Sequence, residues 1–177
     1  ERECRQMLST GLSLDGPASV RYPRGRGPGV TPETKLDTLP VGRAEIRREG
    51  REVALLAFGT MVAPAETVAA EIDATVVNMR FVKPLDEHCL REIATRHEVI
   101  ITLEENVIAG GAGAGVAEAL AAMGLERRLL HIGLPDSFVH HGERDEQLEL
   151  VGLDTAGIRE RIATWLGREV VSPVVSQ

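Results

Sequence analysis

The chain has 177 residues, 43% hydrophobic and 27% charged, the balance of an ordinary soluble globular protein with one good core and at most a piece of a second. Its net charge of −7 excludes a broad basic footprint for nucleic acid. No apolar run approaches the ~20 residues of a membrane span, and the polar opening "ERECRQ" predicts neither a signal peptide nor a natural start, since it lacks a methionine.

Residues 1–10 read as the end of a helix stopped by Gly11. A short strand is expected from Ala18 to Tyr22, ended by Pro23, which has no N–H for a ladder. Arg21, inside that strand, is expected in a packed or paired environment. Proline and glycine then punctuate a linker over residues 29–42. From residue 43 the pattern becomes regular. "REVALLAF" reads as a buried strand, and Gly59-Thr60 turns the chain into a helix from Val62 to Ile72. "ATVVNM" is a second strand. Pro84-Leu85-Asp86 opens a helix with Asp86 as its N-cap. "EVIITLEE" is a third strand, residues 112–124 a helix and "RLLHIGL" a fourth strand. Two helices close the pattern, "ERDEQLELVG" and "DTAGIRERIATWLG", the second capped by Asp154. The tail 168–177 carries no signal and is expected to be disordered.

Strand–helix alternation with short connections predicts an α/β fold with a mainly parallel sheet and helices on both faces, spanning residues 43–167. One helix end and one strand cannot bury their own apolar faces. Residues 1–28 are therefore expected to be the last helix and strand of a truncated preceding α/β domain.

The run "EENVIAGGAGAG" joins a strand to a helix through glycines, as phosphate-binding loops do. It fails the dinucleotide fingerprint in both registers, because the sixth residue from Gly111 is Val116 and from Gly113 is Glu118. It also lacks the lysine of a P-loop, and Glu104 and Glu105 stand at its mouth, where a phosphate would meet two carboxylates. The small residues are instead expected to let the helix approach the sheet closely. Lys83, before Pro84, could pair with a substrate acid or be a solvated turn residue. Glu104 or Glu105 could serve as a general acid or base, but neither has a visible partner in sequence, and structural roles are favoured. His140 and His141 are adjacent and point to opposite sides of an extended chain, so they do not share an ion. His131, in an apolar strand, reads as a satisfied core histidine. Cys4 and Cys89 form no CxxC pattern and read as two reduced thiols of a cytosolic protein.

Together, "VRYPRG", "VVNMRFVKPLDEHCL", "LEENVIAGGAGAGVAEAL", "HIGLPDSFVHHG" and "GLDTAGIRERIATWL" resemble the C-terminal portion of the 1-deoxy-D-xylulose-5-phosphate synthase family, within the transketolase superfamily. Each piece alone is weak; their common order and spacing up to residue 167 is specific. The resemblance implies a transferase that condenses pyruvate with D-glyceraldehyde 3-phosphate, releasing carbon dioxide. Its product feeds non-mevalonate isoprenoid, thiamine and pyridoxal synthesis. It implies dependence on thiamine diphosphate and Mg²⁺, and a cytoplasmic bacterial homodimer that engages neither nucleic acid nor membrane.

By the same resemblance, residues 1–28 would end the pyrimidine-binding domain, 29–42 would be the linker and 43–167 the transketolase C-terminal domain. Catalytic, cofactor and metal residues would lie in the absent part, leaving this fragment inactive. One site residue carries over. The arginine of "YPRG" grips the phosphate of glyceraldehyde 3-phosphate, which places that role on Arg24. The alternatives are a C-terminal domain of another transketolase-superfamily enzyme, or a stand-alone binding or regulatory domain of this fold.

Overall fold

The computed structural model describes residues 1–25, 27, 29–31, 35 and 37–168. The tail expected to be disordered lies outside them, apart from Arg168. Five strands form a single sheet: β1 (Glu45–Arg48), β2 (Ala54–Ala57), β3 (Thr75–Asn78), β4 (Val99–Val107) and β5 (Arg128–Leu134). Their order is β1-β3-β2-β4-β5. β3, β2, β4 and β5 run parallel, and β1 closes one edge antiparallel to β3. Six helices accompany them: α1 (Arg2–Leu12), α2 (Val62–Ile72), α3 (Glu87–Arg96), α4 (Ala112–Ala122), α5 (Arg144–Leu150) and α6 (Thr155–Leu166).

A sheet covered on both faces explains why its strands read as unbroken apolar runs rather than as alternating ones. Leu55, Val76, Ile101 and Ile132 pack on one face with Val68 of α2 and Ile158 and Ile162 of α6. Leu56, Val77 and Ile100 pack on the other with Leu90 and Ile93 of α3 and Val116 and Leu120 of α4. All of these are at most 2% exposed, so each of the two cores is sealed.

Side-chain caps start two of the helices as expected. Asp86 Oδ1 accepts from Cys89 N at 3.0 Å, and Asp154 Oδ1 accepts from Gly157 N at 3.0 Å. Asp86 Oδ2 also accepts from Ala44 N at 2.9 Å, fixing the chain where it enters β1. The thiol of Cys89, one turn into α3, is pushed up to about 11, chiefly by burial and then by the nearby Asp86 and Glu92 carboxylates. That keeps it an unreactive thiol.

Two expectations need correction. β1 does not stand out in the sequence because "EIRR" has one apolar residue; an exposed edge strand needs only one face to pack, and charge protects its free side. Conversely, Ala18–Tyr22 is not a strand. Its composition suits a strand, but β-propensity acts only through a neighbouring ladder, and this segment joins neither edge of the sheet. The described part of the 29–42 linker has no helix or strand, as its prolines and glycines require.

Candidate functional site

In open α/β sheets, ligands collect outside the carboxyl ends of the strands, where the strand order reverses. Here β2 is followed by β3 on one side, and the chain then crosses to β4 on the other. The reversal lies between β2 and β4. It is bounded by the 3-10 turn Gly59–Met61 after β2 and by Glu104 and Glu105 of β4.

Those groups close the crevice themselves. Glu104, only 2% exposed, turns toward α4. Its Oε2 accepts from Ala112 N at 2.7 Å and its Oε1 from Gly113 N at 2.8 Å. The start of α4, where a glycine-rich loop would seat a phosphate, already holds a carboxylate from its own domain. The glycines make this possible. A side chain on Gly111 would press on the Val107 carbonyl and the Glu104 carboxylate. One on Gly113 would collide with Thr102 Oγ1 and lie 2.7 Å from His131 Nδ1. Gly110 takes φ +70° in the turn itself. Close packing, the role expected of these small residues, is what they serve.

Thr102 and His131 face each other across β4 and β5 beneath Gly113, sharing a 2.7 Å hydrogen bond between Oγ1 and Nδ1. Burial lowers the His131 pKa, with the Glu104 charge opposing it in part. His131 is hydrogen-bonded as its setting suggested, but it is half-buried at the rim of the core rather than within it. Glu105, on the opposite face, accepts at Oε2 from Thr60 Oγ1 (2.6 Å) and from Arg144 Nη2 at the start of α5 (2.5 Å). Both glutamates thus have partners, none visible in sequence because Thr60 and Arg144 lie 45 and 39 residues away. Glu104 caps a helix, and Glu105 is shared between two side chains of other elements.

Beside Glu105 an open cleft of about 240 Å³ separates the tip of β5 from α5, lined by Leu134, Leu148 and Val151 as well as by Arg144. Lys83, His140 and His141 are exposed. Among the described residues no group of three or more His, Cys, Asp or Glu side chains could hold a metal ion. No described helix is long and apolar enough to cross a membrane.

The N-terminal segment lies on the same edge of the sheet. Glu3 of α1 accepts from Asn78 Nδ2 (2.9 Å) at the end of β3 and from Arg80 Nε (2.6 Å) just beyond it. Arg80 has φ +55° and also donates to Glu45 Oε2 at 2.9 Å, so a strained residue bolts α1 to the sheet. Sequence reasoning missed it; an arginine before "FVKP" carries no mark of its backbone angle. Arg21 Nη2 donates to the backbone carbonyl of Glu105 at 3.2 Å. Arg21 is therefore paired, as expected, but from an exposed loop. Three residues on, Arg24 is exposed in a bend, followed by Gly25 at φ +155°.

A family profile described as "Transketolase, C-terminal domain" matches residues 42–158. The chain belongs to the transketolase C-terminal domain family. It is 61% identical over 158 residues to a protein named 1-deoxy-D-xylulose-5-phosphate synthase from Thioalkalivibrio sulfidiphilus, covering 89% of this chain and 25% of that protein. It is 55% identical over 168 residues to a protein of the same name from Nitrosococcus oceani, covering 95% of this chain and 26% of that one. The chain thus spans about a quarter of the length of these relatives and matches their C-terminal portion. Among solved structures it is similar to a split-gene transketolase described as an inactive β4 tetramer, with a TM-score of 0.68 and 29% identity. That match covers 73% of this chain and 44% of the other.

Proposed function

We propose that this chain is the C-terminal part of a 1-deoxy-D-xylulose-5-phosphate synthase, a cytoplasmic homodimeric transferase that condenses pyruvate and D-glyceraldehyde 3-phosphate with loss of CO₂. The observation that carries this is the 61% identity to a protein of that name, which extends over 158 residues and so beyond the 42–158 domain match. On this reading residues 1–28 end the pyrimidine-binding domain, 29–42 form the linker and 43–167 the C-terminal domain. The enzyme would use thiamine diphosphate and Mg²⁺. The described residues do not fit that cofactor: no acidic or histidine cluster could take the metal, and the one glycine-rich helix start is filled by Glu104. Its site is assigned to the part of the enzyme outside this chain.

Within this chain the proposed substrate contact is Arg24, which would hold the phosphate of glyceraldehyde 3-phosphate. Its guanidinium can present two parallel N–H donors to phosphate oxygens, a geometry lysine cannot reproduce. Its exposure, three residues after the Arg21 contact with Glu105, leaves the group available to a ligand. In the full-length enzyme, Arg24→Ala should lower kcat/KM for glyceraldehyde 3-phosphate by about 10- to 100-fold, since a hydrogen bond to a charged group contributes about 1.5–3 kcal/mol. Arg24→Lys should recover part of the loss, and unphosphorylated glyceraldehyde should react alike with wild type and Arg24→Ala. Equal impairment with both acceptors would make Arg24 a structural residue instead.

A further inference from the structure

The crevice at the strand-order reversal, where an α/β domain of this kind usually receives a ligand, is closed by its own Glu104, Glu105 and Thr60. What it still offers outward is the main-chain carbonyl of Glu105, and Arg21 takes it. We propose that the segment that carries Arg24 docks over this closed crevice, and that Arg21 is a positioning residue that holds Arg24 in place for the phosphate. The inference rests on the reading of Arg24 given above and adds a residue and a device to it.

Three observations support it. First, residues 17–23 contain no helix or strand, so no ladder fixes the direction of Arg24; the segment is held instead by side chains, Arg21 on Glu105 before it and Glu1 on the N–H groups of Gly29 and Val30 after it. Second, the tethers stand on both sides of β2. Glu3 is bonded to Asn78 and Arg80 at the end of β3, and Arg21 to Glu105 of β4. The segment between them is held at two points on one edge of the sheet, and Arg24 follows the second tether by three residues. Third, the receiving carbonyl is itself immobilised. The Glu105 side chain is fastened to Thr60 after β2 and to Arg144 of α5, so three elements fix the residue whose carbonyl receives Arg21. A peptide group held in this way presents its oxygen in one direction, and an arginine bonded to it is directed in turn.

The test has two arms. In the 177-residue chain, Arg21→Ala should speed trypsin cleavage at the Arg24–Gly25 bond several-fold, read by mass spectrometry, with the melting temperature unchanged because Arg21 is exposed. In the full-length enzyme the same substitution should raise KM for glyceraldehyde 3-phosphate about 3- to 10-fold, the scale of one ordinary hydrogen bond lost at an exposed site. The kcat and the KM for pyruvate should hold, and Arg21→Lys should restore part of the affinity. Unchanged cleavage and unchanged KM would overturn the proposal. So would a lowered melting temperature with both substrates affected equally, which would make Arg21 a stability residue. If Arg24→Ala leaves the aldehyde kinetics untouched, the phosphate reading itself fails, and the cleavage arm still decides whether Arg21 anchors the segment.

Discussion

Successive residues of a strand point to opposite faces, and at the tip of β4 this sends two neighbouring carboxylates into unlike surroundings. On the α4 side, Glu104 is sealed from water and bonded only to backbone N–H groups, with Thr102, His131 and three glycines packed around it. On the other side, Glu105 is partly exposed and joined to two side chains, Thr60 and Arg144, beside an open cleft. The first carboxylate stabilises a helix end, and the second cross-links elements and orients a carbonyl for the N-terminal segment. In sequence they are indistinguishable. Burial separates them: a carboxylate with no water needs a fixed donor at each oxygen, whereas a half-exposed one can exchange partners.

The comparison breaks most readily at Glu104. Glu104→Ala leaves the N–H groups of Ala112 and Gly113 without acceptors, each costing about 1–3 kcal/mol when buried. A loss of about 2–4 kcal/mol is expected in urea unfolding. Glu105→Ala, at a partly exposed site, should cost about 1 kcal/mol or less. Equal losses at the two positions would remove the distinction between the faces. Gly113→Val probes the same sealed face from above. The added side chain meets Thr102 and His131, which are fixed by their own hydrogen bond, so overpacking of about 1–3 kcal/mol is expected. ATP or NAD should leave the wild-type melting temperature unchanged; a rise would mean that a nucleotide displaces Glu104.

How much of this was legible in the sequence follows from range of interaction. The four parallel strands and their helices were readable because periodicity and caps such as Asp86 and Asp154 act within a few residues. The arrangement of the glycine run was half readable: the failed fingerprints excluded a nucleotide, but which group fills the helix start depends on a strand register. β1 was hidden because an edge strand needs little apolar surface. Ala18–Tyr22 misled because its residues favour strands while no partner strand accepts them. The Arg21–Glu105 tether spans 84 residues and ends on a carbonyl, which every residue possesses, so no side-chain pattern could announce it.

The smallest expected effect sharpens the comparison through pH. His131, half-buried beside Glu104, and His97, 4% exposed with Nε2 on Thr75 Oγ1, both have pKa values below the ordinary 6.5. Burial is the main cause for each; Arg96 adds to it at His97, and Glu104 opposes it at His131. The unfolded chain therefore takes up protons near pH 6.5 that the folded chain resists. Since stability rises with pH wherever the unfolded state binds more protons, these two groups contribute fully above about pH 7.5. Their contribution declines as pH falls through 6.5 and levels off below their folded-state values. The melting temperature should accordingly drop as pH falls from about 7.5 through 6.5, before the carboxylates titrate. His131→Gln retains a polar partner for Thr102 but cannot be protonated, so its curve should be flatter than wild type over that window. His140→Gln, at an exposed position, controls for the removal of a histidine. If wild type and His131→Gln fall in parallel, the packing around His131 does not hold its ring neutral, and the pH response belongs to His97 instead.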